Sequence, residues 1–175
     1  MDAGIPVLES MVFCPACGSD RFKVFEDAGR CCETCGYTLF SNPSSAAAVF
    51  IQDETGQVLT FRRQRKPSLG KLALPGGFLD SMETLEEAAI REAREEVGLD
   101  VHTVRYLTSY PNQYVYRGIL YYTINTYFVS NEFSGEIVAQ EGEVGKWSWV
   151  DPIAVDSSEW AFPSLQHAVS ALCSE

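Results

Sequence analysis

From residue 46 onward the chain is written in two hydrophobic periods. Apolar residues fall at alternate positions, or in short unbroken runs, over 46–54, 58–64, 101–110, 119–130 and 144–150, and this predicts five strands. The run ILYYTINTYFVS at 119–130 is the longest of them and predicts a central strand. Between the second and third strands the period changes to that of a helix. Leu85, Ala88, Ala89 and Ala93 make a narrow, alanine-rich stripe suited to close packing on a sheet. Thr84 reads as the N-cap of this helix, Glu87 as its capping-box partner and Gly98 as its terminating glycine. A second helix is predicted in FPSLQHAVSALCSE at the end of the chain, with Pro163 before it and Ser164 as N-cap. A turn around Gly56 joins the first two strands, PNQYVYRG at 111–118 reads as a polar, aromatic loop, and 131–143 as an acidic one. This order predicts an α/β fold, a mixed sheet covered by helices on both faces.

Residues 1–45 do not follow that pattern. The stretch 1–11 has no periodicity and predicts a flexible N-terminus. Within 12–40 lie two C-x-x-C pairs, Cys14 with Cys17 and Cys32 with Cys35, each followed at once by glycine, Gly18 or Gly36. The chain must turn back tightly after the second thiol, which calls for positive φ. RFKVFEDAGR between the pairs predicts a strand and a turn. Four thiolates so spaced predict a zinc ribbon holding a tetrahedral structural Zn²⁺ with no open position for chemistry. Cys31 competes with its neighbour Cys32, but the spacing selects Cys32, and Cys173 is given no role. A segment of this length has no core of its own, so the metal contributes most of its folding free energy. SNPSS at 41–45 reads as a linker to a domain spanning 46–175.

The chain has 175 residues and a formal net charge of −11. It carries no Lys/Arg stripe, so the electrostatic footprint for duplex nucleic acid is missing. No apolar run is long enough to span a membrane, and the first residues lack the pattern of a secretory signal. A cytoplasmic protein is expected, in which paired cysteines hold metal rather than form disulfides. The one basic cluster comprises Arg62, Arg63, Arg65, Lys66 and Lys71. Strand alternation lets at most one of Arg62 and Arg63 face a cleft, and Arg62 is taken as the contact to substrate phosphate.

The stretch Gly76 to Leu99 carries the chemistry. It opens with a glycine turn after Pro75 and runs into an acidic helix on which Glu92, Glu95 and Glu96 share one face. Such a face is either solvated and laced with ion pairs or occupied by a hard divalent cation, Mg²⁺ or Mn²⁺. Read as G-x5-E-x7-R-E-U-x-E-E-x-G-U, with U apolar, the stretch fits at Gly77, Glu83, Arg91, Glu92, Ala93, Glu95, Glu96, Gly98 and Leu99. By this box, with Ala93 its one soft position, the chain resembles a Nudix hydrolase from about residue 45 to the end. The resemblance implies an α/β/α sandwich that hydrolyses a nucleoside diphosphate linked to another moiety by water attack on phosphorus. It implies Glu95 and Glu96 as metal ligands, Glu92 as ligand or general base, and the carbonyl of Gly76 or Gly77 in the metal shell. Arg91 would order Glu92 through its planar fork, with Glu87 or Glu95 as a further partner, while Glu83 holds the loop. Glu143, just before the last strand, matches a place where many Nudix enzymes carry an additional acidic ligand or base, and Glu141 is its alternative.

A ribbon ahead of such a domain resembles the NADH pyrophosphatase branch of the family, which carries SQPWPFP and then serine after the box. Here the corresponding stretch is SYPNQYVYRG. Ser109 and Pro111 echo the motif, but the tryptophan and the second proline are absent. NADH, ADP-ribose, other nucleotide sugars, dinucleoside polyphosphates and oxidised nucleotides all stay open. Tyr110 and Tyr114 are expected against the base or ribose, with Phe162 and Ser164 bordering the pocket. His102 and His167 read as surface or packing residues. Relatives with a ribbon imply an interaction or dimer-stabilising role for it, hence a homodimer. The competing reading is a nucleotide-sensing module without turnover, with the ribbon as docking surface. Such modules usually lose box carboxylates, and this chain keeps them. An isoprenoid diphosphate isomerase would need an acid and a thiol outside the box, and nothing marks one out.

Overall fold

A computed structural model describes residues 4–25, 29–140, 142 and 144–174. Met1–Ser44 with Gln113–Tyr122 form one unit, and Ser45–Asn112 with Thr123–Glu175 form the other.

In the first unit, β1 (Ile5–Pro6) pairs in parallel with Ile119–Leu120, and the Ile5 N–H donates to the Gly118 carbonyl at 2.9 Å. A single helical turn, α1 (Val7–Ser10), comes next. This order comes from backbone pairing rather than a side-chain pattern, so a search for periodicity passes over 4–11. Strands β2 (Phe22–Phe25), β3 (Gly29–Cys32) and β4 (Thr38–Phe40) form an antiparallel sheet. Among the described residues its buried cluster is Cys14, Phe22 and Cys32, with Leu39 packed against it. Each cysteine pair closes in the same way. Gly18 N–H donates to Cys14 O at 2.8 Å and Gly36 N–H to Cys32 O at 2.9 Å, with φ of 74° and 76°, the left-handed turns expected at both glycines.

The second unit is built on β5 (Ser44–Ile51), which starts inside the stretch read as linker. Its residues alternate between two cores. Ala47, Val49 and Ile51 enter one with α2 (Leu85–Val97), while Ala48 and Phe50 enter the other with α3 (Pro163–Leu172). The next strands are β6 (Val58–Arg63), β7 (Leu72–Ala73), β8 (Gly76–Phe78) and β9 (Asp100–Val101). After them come β10 (Arg105–Tyr116), β11 (Ile119–Ser130), β12 (Phe133–Ser134) and β13 (Val144–Val150). β11 lies between β10 and β5, and β8 lies beyond β5; β13, β6 and β7 form a second sheet, and β12 pairs with β9. β11 obeys the same period of two, with Phe128 on the α2 side and Tyr127 and Val129 on the α3 side. A mixed sheet with a helix on each face is the predicted α/β/α sandwich. Ala88, Ala89, Ala93 and Val97 are fully buried, so the small stripe lets α2 lie close on the strands.

Three local expectations are corrected. Gly76 and Gly77 do not make a turn; they open β8, paired with β5 through Ala48↔Gly76 and Ala47↔Gly77. Residues 111–116 continue β10, and the hairpin turns at Arg117 and Gly118, with φ of 49° and 81°. Two consecutive left-handed residues suit the twist of a hairpin, and Pro111 is tolerated because β10 is an edge strand. Finally, Phe162 caps α3 and Pro163 takes its first position, where a missing N–H costs nothing. Ser164 is thereby carried inside the helix and buried. Its Oγ lies 2.8 Å from Tyr127 OH and accepts from Asn125 Nδ2 at 3.2 Å.

Candidate active site

Helix α2 begins with the predicted capping box. Thr84 Oγ1 accepts from Glu87 N–H at 3.2 Å, and Glu87 Oε2 accepts from Thr84 N–H at 2.8 Å. Gly98 ends the helix in the left-handed conformation, φ 74°. Glu87 is thus committed to the cap, and the helix presents Arg91, Glu92, Glu95 and Glu96 toward β8.

Arg91 organises the carboxylates around it. Nε and Nη2 donate to Glu83 Oε1 and Oε2 at 2.8 and 3.0 Å. Nη1 donates to Glu92 Oε1 at 2.8 Å and to Glu95 Oε2 at 3.0 Å, and Nη2 also donates to the Phe78 carbonyl at 3.0 Å. A guanidinium has five N–H donors, and all five are used. The expected contacts to Glu92 and Glu95 are present. The bidentate partner is Glu83, eight residues back and outside the reach of helix-pair rules, and the Asp80 N–H fixes Glu83 Oε2 at 2.9 Å. Arg91's hydrogen bonds and the Asp80 N–H hold the Glu83 carboxyl below the usual carboxylate range. So Glu83 does hold the loop, by clamping it to the helix through Arg91.

Behind this layer, Glu96 is buried, and its Oε2 accepts from the Gly76 N–H at 2.9 Å. Burial pushes its carboxyl up to about 8, against the Gly76 hydrogen bond and the charges of Arg63 and Arg65, with Glu92 adding to the rise. Burial also raises Glu92, in spite of Arg91, with Glu95 and Glu83 adding repulsion. The glycines permit the approach. A Cβ on Gly77 would lie within 3.0 Å of the Glu92 carboxylate, and one on Gly76 would meet the backbone and Cβ of Ala48.

Glu92, Glu96 and the more exposed Glu95 therefore form a set of hard oxygens beside the β8 backbone. Two of these carboxyls are destabilised as anions by burial and mutual repulsion, and a divalent cation relieves both. The carboxylates of Glu92, Glu95 and Glu96 fit such an ion; the backbone edge that faces them is that of Gly76, whose N–H reaches Glu96, while Gly77 pairs with Ala47 in the β8–β5 ladder. Among the described residues, only the four ribbon thiols bring three or more ligand atoms within 4.8 Å of one another. Of the three carboxylates, Arg91 bonds those of Glu92 and Glu95, and the Gly76 N–H bonds that of Glu96.

At the ribbon, Cys14 Sγ and Cys35 Sγ are 3.7 Å apart and Cys17 Sγ and Cys32 Sγ 3.6 Å. A tetrahedral ion with metal–sulfur bonds of about 2.3 Å requires edges of about 3.8 Å. Burial opposes ionisation of Cys32, yet the N–H groups of Cys35 and Thr34 and the thiols around it bring it down to about 6. The Ser19 N–H favours the Cys17 thiolate, but the neighbouring thiols push Cys17 up to about 12. The cluster is consistent with a zinc-binding module built from the four expected cysteines. Cys31 stays outside it, its Sγ accepting from Thr38 Oγ1 at 3.6 Å.

The other predicted residues have partners of their own or fall outside this unit or the described residues. Arg62 is not brought to the carboxylates; its Nη1 pairs with Glu159 Oε2 at 2.6 Å. Arg63, on the opposite face of β6, and Arg65 carry the charges that reach Glu96. Tyr110 packs on His167, ring centroids 5.0 Å apart, so that histidine is a packing partner as expected. Tyr114 belongs to the first unit. Glu143 and Glu141 lie outside the described residues. Among the described residues no helix is long and apolar enough to cross a membrane.

The family model described as the NUDIX domain matches residues 42–169. A protein of Deinococcus radiodurans named NAD-capped RNA hydrolase NudC is 33% identical over 139 residues, covering 78% of this chain and 48% of that protein. An ADP-ribose pyrophosphatase of Methanocaldococcus jannaschii is 41% identical over 63 residues, covering 36% of this chain and 37% of that protein. The chain spans about half the length of the NudC relatives it matches. Among solved structures, a MutT NUDIX hydrolase from Burkholderia pseudomallei aligns at a TM-score of 0.64 and 22% identity, covering 75% of this chain and 98% of that one. The NUDIX domain of Shewanella oneidensis NrtR, complexed with ADP ribose, aligns at 0.62 and 22%, covering 77% and 89%.

Proposed function

The chain belongs to the Nudix family, and we propose that it is a divalent-metal-dependent pyrophosphohydrolase that cleaves a nucleoside diphosphate linked to another moiety. The observation that carries this reading is Arg91, whose five donors lock Glu83, Glu92 and Glu95 against the β8 backbone while Glu96 is held by Gly76. A helix that needed only solubility would leave its carboxylates in solvent; here Glu92 and Glu96 are drawn inward at an electrostatic cost.

When bound, Mg²⁺ or Mn²⁺ supplies charge neutralisation for the diphosphate and an acidified water. The chain's own residues do the rest. Glu95, Glu96 and the carbonyl of Gly76 or Gly77 would hold the ion, with Glu92 as a further ligand or as the general base. In the base role Glu92 would take the proton of the attacking water, and without an ion on its own carboxylate burial raises its proton affinity. Arg91 fixes the Glu92 rotamer, so that geometry is set before substrate arrives. Glu143 remains a candidate for an additional acid or base. The ribbon cysteines Cys14, Cys17, Cys32 and Cys35 hold a structural Zn²⁺, and 12–40 and 46–175 are the ribbon and the hydrolase domain.

The relatives' names point to nucleotides with an adenosine diphosphate core: ADP-ribose in one, an NAD cap in others. ADP-ribose is therefore the first substrate to test, then NAD(H), nucleotide sugars and dinucleoside polyphosphates, each with Mg²⁺ and Mn²⁺. Metal-dependent release of AMP supports the proposal. No turnover of any of them, from protein shown to bind metal, would favour a nucleotide-sensing module instead.

A further inference from the structure

β6 ends in two arginines that leave opposite faces of the strand. Arg62 is spent on architecture. It binds Glu159 and the Gly70 carbonyl, the latter at 3.0 Å, and Lys71 Nζ donates to the Ser158 carbonyl at 2.6 Å in the same corner. Together they tie the turn Ser157–Glu159 to the β6–β7 hairpin.

Arg63 is held differently. Its Nε donates to the Pro67 carbonyl at 2.9 Å, and its guanidinium lies 5.1 Å from the centroid of the Phe162 ring. Pro67 and Phe162 are fixed in turn, since Ser68 Oγ donates to Ala161 O at 2.6 Å and Phe162 caps α3. The side chain is half-buried; across the β6–β13 pair Arg63 faces Val144, whose N–H donates to Gln140 O at 3.2 Å, and the Gln140 N–H donates to Glu96 O at 2.9 Å, so this end of β6 lies beside the helix turn that carries Glu96. A guanidinium gripped through Nε and stacked on one face presents its Nη edge in a set direction. That edge is the fork that reads phosphate oxygens in pairs.

We propose that Arg63, braced by Pro67 and Phe162, is the cation that grips the substrate's diphosphate. The inference rests on the diphosphate-hydrolase reading and replaces Arg62 by Arg63 as the phosphate contact. In an acidic chain whose binding face already holds three carboxylates, a rigid cation offsets the repulsion between protein and substrate. Its position is set by two neighbours rather than by a flexible stem, which lowers the entropy lost on binding.

The test measures ADP binding by calorimetry with Mg²⁺ present, and kcat and KM for ADP-ribose, in Arg63→Ala, Arg63→Lys, Phe162→Leu and Arg62→Ala. Arg94→Ala, an equal charge change on the exposed side of α2, is the control. Arg63→Ala should weaken ADP binding and raise KM by roughly ten- to hundredfold, as expected for a charge-assisted contact, with a smaller change in kcat. Arg63→Lys should recover part of the loss, because it keeps charge without the fork, and Phe162→Leu should cost a few-fold. Arg94→Ala should stay within about twofold. Wild-type binding of ADP by folded Arg63→Ala and Arg63→Lys overturns the proposal, as does a loss seen in Arg62→Ala but not in Arg63→Ala, or a wild-type protein that does not bind ADP. Arg63-dependent ADP binding without ADP-ribose turnover supports this proposal and counts against the hydrolase reading alone.

Discussion

Two adjacent glycines should fail in different ways. A methyl group on Gly77 collides with the end of a side chain, because Glu92 Cδ would stand 2.7 Å away and Oε2 3.0 Å. Glu92 Oε1 stands closer still, and non-bonded contacts to carbon begin at about 3.3–3.5 Å, so the carboxylate must retreat by about 1 Å. Glu92 can do this by rotating, at the cost of its hydrogen bond to Arg91. Overpacking of this kind costs about 1–3 kcal/mol of stability, here at the low end because the obstacle is mobile. A misplacement near 1 Å at a reacting group costs about a hundredfold in rate, close to 3 kcal/mol of barrier. A methyl on Gly76 instead meets Ala48 Cα at 2.6 Å and its Cβ at 2.5 Å, within a paired strand that has no free rotor. Gly76→Ala should therefore strip several kcal/mol of stability, at or above the upper end of that range. Urea melts and AMP release from ADP-ribose, measured on both variants, separate the two effects. Gly77→Ala should stay folded and lose most of its turnover. A Gly77→Ala protein with wild-type kcat/KM would show that Glu92 need not stand where it does, and equal destabilisation by the two substitutions would show that the two obstacles do not differ.

Glu96 has a folded-state value near 8, above its unfolded one, so the metal-free protein holds an extra proton between about pH 4.5 and 8. Its stabilising effect is complete below that window and lost as pH rises through it, by up to about 1.4 kcal/mol per pH unit, and Glu92 acts in the same direction. Glu96→Gln should flatten that slope in denaturant melts; an unchanged slope would count against it. Chelation of the ribbon metal should erase the ordered amide signals of the ribbon and spare those of α2, because among the described residues the ribbon's own buried cluster is Cys14, Phe22 and Cys32. Ser164→Ala should cost about 1–3 kcal/mol by leaving Tyr127 OH and Asn125 Nδ2 without their partner, and an unchanged melting temperature would contradict that.

What the sequence revealed depended on how local each cause was. The capping box, the Gly98 terminus and the alanine stripe of α2 rest on residues a few positions apart, so the pattern alone placed them. The cysteine pairs were legible for the same reason, down to the sign of φ at Gly18 and Gly36. Where a contact joins distant segments, the sequence was silent. Glu83 meets Arg91 because β8 and the loop after it fold back over the helix. Ser164 leaves the capping position because Pro163 takes the first turn and Tyr127, 37 residues away, needs a partner. Arg62 and Arg63 could be told apart only in principle, since alternation says that they diverge but not which one Glu159 claims. The stretch 111–116 reads as loop by composition, yet the left-handed pair Arg117–Gly118 closes a hairpin that forces it to remain a strand. Gly76 and Gly77 were singled out for the right residues and the wrong local geometry: close packing in a strand, not a turn, excludes a side chain there.

Everything proposed for the site depends on the carboxylates ordered by Arg91 being a divalent-metal platform. Titration of the protein with Mn²⁺, with the free ion read by electron paramagnetic resonance, tests this without reference to any substrate. The wild-type protein should bind Mn²⁺ saturably and in competition with Mg²⁺, and Glu96→Gln and Glu92→Gln should bind it at least tenfold more weakly while the fold persists. Equal Mn²⁺ affinity in the wild-type and both variants would contradict the platform.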